Sequence, residues 1–297
     1  MPSVAFVVNR TLVRDPGRFL RRCRAAAQAD GWEPVFAETS PADGGLGLAR
    51  QAIAAGASLV FAAGGDGTVR ACAQALAGTG IPLAIVPLGT ANLAARALRI
   101  PARAGRAIDA GLRGRDRAID VATADLGDGD EISFTAMAGI GLDAAVVAAA
   151  GALDKRRLGW VAYAVAGLTH LSVPAADFTV RLDGEAPLRR RARCVVVGNA
   201  GLLPGGFVLL PEARLDDGRL DVGILAPSGA LGWPRAAARV LTRSRRQDLT
   251  LERFQARRVE IAAAADLPRQ IDGEVIGAGR TLTVSVCPGA LTVRQPE

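Results

Sequence analysis

The chain has 297 residues, room for one large domain or two ordinary ones, and half of its residues are hydrophobic against 22% charged, the balance of a soluble globular enzyme. The net charge is +7, almost wholly from arginine because Lys155 is the only lysine, which suits an anionic nucleotide or an anionic membrane surface. Aromatics make up only 4%, too few for the stacking platforms that read single-stranded nucleic acid, so nucleic acid is not expected as a partner.

Residues 4–8 form a short β-branched run that reads as the first buried strand of a parallel sheet. It ends at the polar loop Asn9-Arg10-Thr11, and Asp15-Pro16 then opens a helix over 17–29. A second strand is expected at 33–38, followed by a loop at 39–43 and a helix ending near Gly56. The stretch 58–70 then runs from an apolar strand (58–63) through a glycine turn, Gly64-Gly65-Asp66-Gly67, into a helix over 68–77. Glycines there let a ligand approach the backbone, and the helix N-terminus offers free N–H groups to an anion. Residues 81–86 are another buried strand, closed by Pro87-Leu88-Gly89-Thr90-Ala91-Asn92 and a helix through Leu98. Strands alternating with helices at this rhythm give a doubly wound α/β domain, with ligand loops at the carboxyl ends of its strands.

Around 113–117 the pattern changes. Short apolar or alternating runs at 118–124, 131–138, 178–182, 193–197, 220–226, 250–256, 259–263 and 282–286 point to a mostly antiparallel β-sandwich or barrel, interrupted by helices near 142–170 and 233–246. The expected domains are therefore 1–117 and 118–297, with the extreme C-terminus free to pack back on the first. Arg235, Arg239, Arg243, Arg245 and Arg246 make either a solvated face or a basic face for a membrane.

Cys23, Cys72, Cys194 and Cys287 lie far apart with no CxxC pair, and His170 is the sole histidine. That argues against zinc and against a histidine triad, and for reduced thiols in a cytoplasmic protein. The N-terminus lacks the pattern of a signal peptide, and no stretch reaches the ~18 apolar residues that span a bilayer.

A phosphate site is not of the P-loop kind, since GxxxxGK[ST] is absent and Lys155 falls in the wrong domain. A triphosphate would have to be held by backbone N–H groups, hydroxyls and a metal, with Thr68, Thr90 and Asn92 as short donors at strand ends. Leu215-Asp216-Asp217-Gly218-Arg219-Leu220-Asp221-Val222 reads either as a hairpin turn before a strand or as a hard-cation site. Gln270-Ile271-Asp272-Gly273-Glu274 is likewise an Asp-Gly turn, or two carboxylates leaning into one cleft as base and metal partner.

Gly64-Gly65-Asp66-Gly67-Thr68, Pro87-Leu88-Gly89-Thr90-Ala91-Asn92 with Ala95-Arg96, Asp217-Gly218 and Asp272-Gly273-Glu274 stand in the order and spacing of the diacylglycerol kinase catalytic-domain family. The chain resembles its bacterial soluble lipid kinases nearly end to end. The segment Ala138-Gly139-Ile140-Gly141-Leu142-Asp143-Ala144 resembles that family's G-x-G-x-D-A. The resemblance implies an ATP site between an α/β N-terminal domain and a β-rich C-terminal domain. Gly64, Gly65, Asp66, Gly67, Thr68, Val69 and Arg70 would hold the phosphates together with Gly89, Thr90, Asn92, Thr39 and the Asn9, Arg10, Thr11 loop. Asp217 would bind a structural Mg²⁺ with backbone oxygens of Arg214 and Arg219. Glu274, with Asp272 beside it, would deprotonate the lipid hydroxyl, and Asp66 would help place the catalytic Mg²⁺. The family's Asn-Pro and Asn-Asp are here Asn9-Arg10 and Asn92-Leu93, changes that touch the nucleotide loops but neither the base nor the Mg²⁺ carboxylates.

The expectation is an ATP- and Mg²⁺-dependent lipid kinase with a diacylglycerol-like acceptor, cytoplasmic and peripheral at the inner membrane face, with a homodimer left open. The rivals are a kinase of a sphingoid or soluble polyol acceptor and a catalytically silent nucleotide- or lipid-binding regulator on the same fold.

Overall fold

Residues 4–8 are buried on both faces of strand β1 (Ser3–Val8), as a central strand of a parallel sheet must be. The computed structural model describes residues 1–127, 129, 131–141, 175–201, 208–227 and 250–296. It divides into two compact units, Met1–Val121 with Pro288–Glu297, and Ala122–Cys287.

In the first unit β1 leads through α1 (Pro16–Ala29) to β2 (Glu33–Glu38), through α2 (Leu46–Ala54) to β3 (Ala57–Gly64), and through α3 (Asp66–Leu76) to β4 (Leu83–Pro87). The strands are parallel in the order β4-β3-β1-β2. Phe6 of β1 stacks between Phe36 and Phe61 on its two neighbours, with centroids 5.2 and 4.5 Å away. Asp15 caps α1 by accepting from Arg18 N at 2.9 Å, and Phe19, Cys23 and Ala27 bury one face of that helix. Burial pushes the Cys23 and Cys72 thiols up to about 12, so neither is a reactive thiolate.

Two short helices follow, α4 (Leu93–Ala97) and α5 (Ala104–Arg113). The second was not anticipated, although Ala107, Ile108, Gly111 and Leu112 bury one face of it. A Cβ at Gly111 would run into the Phe61 ring, so the glycine sets how closely α5 lies on the sheet.

Among its described residues the second unit is mostly strand. It comprises the end of β5 (Arg115–Asp125), β6 (Glu131–Phe134), β7 (Met137–Gly141), β8 (Ala176–Leu182), β9 (Leu188–Ala192), β10 (Cys194–Gly198), β11 (Leu220–Leu225), β12 (Leu251–Ala256), β13 (Arg258–Ile271) and the first part of β14 (Glu274–Gln295). The antiparallel order β12-β11-β10-β7-β13-β14 makes one sheet. The first half of β13 pairs with β8 and its last residues with β7, with register shifts between Ala262 and Gln270. Those irregularities let one long strand serve two layers. Along β10, Val195 and Val197 join a large core with Phe134, Ile140, Phe178 and Val222, while Cys194 and Val196 face a smaller cluster with Met137, Leu209 and Leu210. Both faces are covered, so the strand is an unbroken apolar run.

The fold class is the expected one, a doubly wound α/β unit and a mostly antiparallel β-sandwich. The expected helices at 142–170 and 233–246, with Lys155, His170, Leu142-Asp143-Ala144 and the arginines at 235–246, lie outside the described residues. Among the described residues no helix is long and apolar enough to cross a membrane.

Candidate active site

The strand order places the topological switch of the first unit at the carboxyl ends of β1 and β3, because the chain leaves β1 toward β2 and returns on its other side as β3. That crevice is where doubly wound sheets take their ligands. Asn9–Thr11 and Gly65 sit there. The Asn9 side chain accepts from Thr11 N at 3.2 Å and Thr11 Oγ1 at 2.6 Å, shaping a one-turn 3₁₀ helix. Leu12, 42% exposed, brings its Cδ1 to 3.7 Å from where a Cβ on Gly65 would lie. Arg10 pairs with Glu38 at 3.0 Å, and Thr39 N donates to Val8 O, so Thr39 and Arg10 belong to this same edge.

The glycine turn itself opens α3, two residues earlier than expected, with Gly65 as N-cap. The helix therefore presents the first-turn N–H groups of Asp66, Gly67 and Thr68 at the crevice. Gly89 lies against it. A Cβ on Gly89 would come within 2.8 Å of Gly65 Cα, and Leu88 N donates to Gly64 O at 2.8 Å. The Asp66 carboxylate accepts from Leu93 N at 2.6 Å, tying the two loops together. Asn92, at φ 47, folds back on Gly89, accepting from its N–H at 3.0 Å and donating to its carbonyl at 2.8 Å. Thr68 is buried against Gly64, whereas Thr90 is exposed at the loop tip and Arg70 lies half-buried one helical turn on from Asp66. Val69 is core. Asn92 and Thr68 thus build the loops with their side chains.

In the second unit, Asp272 (φ 48) and Gly273 (φ 82) are the two central residues of a hairpin turn closed by the Ile271–Glu274 pair. Positive φ at both positions is the two-residue turn that Asp-Gly favours. Asp272 is 4% exposed. Its Oδ1 accepts from Ala136 N at 2.9 Å and Met137 N at 3.0 Å, and its Oδ2 from Thr135 N at 3.3 Å, while its own N–H donates to Met137 O. This anchoring splits the expected single strand at 131–138 into β6 and β7 at Thr135-Ala136. Asn199 N and Ala200 N both donate to Ala136 O, and Asn199 Nδ2 to Thr135 O. Asn199, fully buried, was not singled out in the sequence. Glu274, by contrast, is exposed.

Asp217 and Gly218 (φ 68) form a turn in which Asp217 Oδ1 accepts from Arg219 N at 3.0 Å, and Arg214 reaches Asp216 at 3.3 Å. At the second position of β11, within the same stretch, is Asp221, 5% exposed, which the sequence alone gives no role apart from Asp217. Its Oδ2 is buried without a partner, and Gln255 donates to Oδ1 at 3.3 Å. Burial pushes this carboxyl up to about 6; the Gln255 hydrogen bond opposes the shift, and Asp217 and Glu212 add to it. Among the described residues no three acidic, histidine or cysteine side chains gather into a metal-binding group. A cation here would rest on one or two carboxylates completed by backbone carbonyls and water, which is how Mg²⁺ is held. The orphaned Asp221 oxygen fits such an ion.

The register brings these turns to one end of the sheet. Asp221 pairs with Gly198, Gly198 with Met137, and Met137 O receives the N–H of Asp272. Asp217, Asn199 and Thr135 belong to the connections at that end, and Glu274 opens β14 there.

The family described as Diacylglycerol kinase catalytic domain matches residues 3–124, and that described as YegS C-terminal NAD kinase beta sandwich-like domain matches residues 136–295. A curated protein of Pseudomonas aeruginosa, named "Probable lipid kinase YegS-like", is 36% identical over 287 residues, covering 93% of this chain and 89% of its own length. Among solved structures, a diacylglycerol kinase from Bacillus anthracis str. Sterne superposes with a TM-score of 0.73 at 18% identity, covering 99% of this chain and 96% of its own. An NAD kinase from Archaeoglobus fulgidus in complex with ATP superposes at 0.54 and 12% identity, over 99% and 94%; at these identities the two structures speak for the fold. The chain belongs to the YegS-like lipid kinases, a diacylglycerol kinase catalytic domain followed by the family's C-terminal β-sandwich domain.

Proposed function

We propose that this lipid kinase is ATP- and Mg²⁺-dependent and moves the γ-phosphoryl of ATP onto the hydroxyl of a diacylglycerol-like lipid. The observation that carries the nucleotide half is the backbone contact of Gly65 with Gly89 at the switch of the sheet, locked by the Asp66–Leu93 hydrogen bond. Two loops that meet glycine against glycine beside a helix N-terminus offer the N–H donors that a chain without a P-loop lysine needs. Gly64, Gly67 and Arg70, with Thr90, Thr39 and the Asn9–Thr11 loop, complete the phosphate surroundings in this reading. Leu93 replaces an acid, but what Asp66 grips is its backbone N–H, which any residue offers.

Glu274 takes the acceptor's proton as the new O–P bond forms and the bond from the γ-phosphorus to the β-phosphate bridging oxygen breaks, releasing ADP. Asp272 fixes the turn from which Glu274 projects. Mg²⁺, when bound, neutralises phosphate charge; Asp217, Asp221 and the backbone oxygens of Arg214 and Arg219 would hold the structural ion, and Asp66 would help hold the nucleotide's own.

The test is transfer of radiolabelled γ-phosphate from ATP to a mixed bacterial lipid extract in detergent micelles, with and without Mg²⁺. A labelled lipid that requires Mg²⁺ is expected, and its identity names the acceptor. ATP binding without any labelled lipid overturns the reading in favour of a soluble acceptor or a silent regulator.

Gly89→Ala probes the loop contact. The added methyl must push the two loops apart, and a displacement of that kind is expected to raise the KM for ATP by about ten- to a hundredfold. Steady-state kinetics at saturating lipid measure it, and an unchanged KM would remove Gly89 from the nucleotide site.

A further inference from the structure

Between residues 10 and 30 the chain carries six arginines and only two acids, and the structure shows where each charge goes. Arg10 pairs with Glu38, and Arg24 lies over the Phe36 ring at 5.1 Å. Both acids are engaged: Asp15 caps α1, and Asp30 takes the guanidinium of Arg113 at 2.8 Å. Arg14, Arg18, Arg21 and Arg22 remain, all exposed, and among the described residues none of them pairs with a carboxylate. Positions 18, 21 and 22 share one helical face, opposite the buried Phe19, Cys23 and Ala27. The Arg22 guanidinium lies directly over Gly105, which brings the first turn of α5 alongside and adds Arg103 and Arg106, also exposed and without a carboxylate partner among the described residues. Leu12, one of the few large exposed hydrophobics among the described residues, stands in the turn leading into α1.

We propose that this two-helix arginine patch, with Leu12 at its edge, docks the first unit on a bilayer rich in anionic phospholipid. Arginines reaching a surface of lipid phosphates gain charge complementarity that water alone does not give them, and each adds to the attraction of a negatively charged leaflet. The site rests on the proposed lipid acceptor, because a hydroxyl that resides in a membrane must be reached there. It also sets the orientation: Leu12 lies beside Gly65, so docking brings the glycine loops to the lipid side.

The experiment is co-sedimentation of the full chain with vesicles of phosphatidylcholine alone or enriched in phosphatidylglycerol. The comparison is with Arg18→Gln/Arg21→Gln/Arg103→Gln/Arg106→Gln and with the four corresponding Arg→Lys changes. Wild-type binding to anionic vesicles that falls with salt, an about tenfold or greater loss in the Gln variant and retention in the Lys variant is the expected pattern. Equal binding of the Gln variant, or wild-type binding no stronger to anionic than to neutral vesicles, overturns the proposal. Phosphorylation of a short-chain dispersed lipid, run alongside, should be unchanged in the Gln variant. Vesicle binding with no phosphorylation in any variant would refute the kinase reading while leaving the docking surface standing.

Discussion

Glu274→Gln is expected to lower kcat by about 10²- to 10⁴-fold, the range that a positioned general base supplies. ATP affinity and thermal stability should stay at their wild-type values. Glu274 is exposed at the rim of a hairpin turn, above the buried carboxylate of Asp272, and the isosteric amide removes its basicity while keeping its shape. The loss should lie in kcat rather than in KM, since proton removal matters only as the O–P bond forms. Single-turnover transfer at saturating ATP and lipid, with nucleotide binding followed separately, measures both quantities. A variant that binds ATP and transfers phosphate at the wild-type rate would dismiss Glu274 as the base and return the proton to water or to the nucleotide.

The first unit was legible because its chemistry is local. Apolar runs at 4–8 and 58–63 that stop at polar or glycine turns dictate both the strands and the loops at their carboxyl ends. The helix after the GGDG turn begins at Asp66 rather than Thr68, since the turn's second glycine serves as N-cap. Helix α5 was hidden among arginines that mask its apolar face, and β9 was hidden likewise, because Arg189, Arg190 and Arg191 conceal a strand whose inward positions are Leu188, Arg190 and Ala192. Arg190 can point inward because Glu252 receives its guanidinium through two hydrogen bonds of 2.7 and 3.0 Å.

What the sequence could not show is pairing at long range through backbone atoms. The partners of Asp272 are amides up to 137 residues away, and an N–H leaves no mark in the residue type that carries it. Asn92 was read as a ligand residue, yet its amide is used to close its own loop. Asp221 did leave a mark: an acid set between Leu220 and Val222, in a strand whose other residues are almost all buried and apolar, breaks the pattern of a doubly covered strand, and its unsatisfied oxygen is the structural consequence.

Asp272→Asn tests whether that turn is a device for holding Glu274. Asparagine tolerates positive φ nearly as well as aspartate, so the turn itself is not strained by the change. The amide oxygen can still accept from Ala136 and Met137, but the NH₂ then faces the N–H of Thr135, donor against donor. A charge-assisted set of bonds is exchanged for a neutral and incomplete one, at an expected cost of about 2–3 kcal/mol of stability. If Asp272 acts only on the fold, the surviving native protein keeps its kcat. If it positions the base, kcat falls by about tenfold or more even where the protein is fully folded, because a shift of an ångström at the reacting oxygen is costly. The KM for ATP, whose proposed contacts lie in the other unit, should hold. Denaturant unfolding and kcat measured on the same preparation separate the two, and Glu274→Gln/Asp272→Asn completes the comparison. With the base already removed, the second change should still cost stability but no longer cost rate, whereas additive losses in kcat would mean that Asp272 serves the reaction through something other than Glu274.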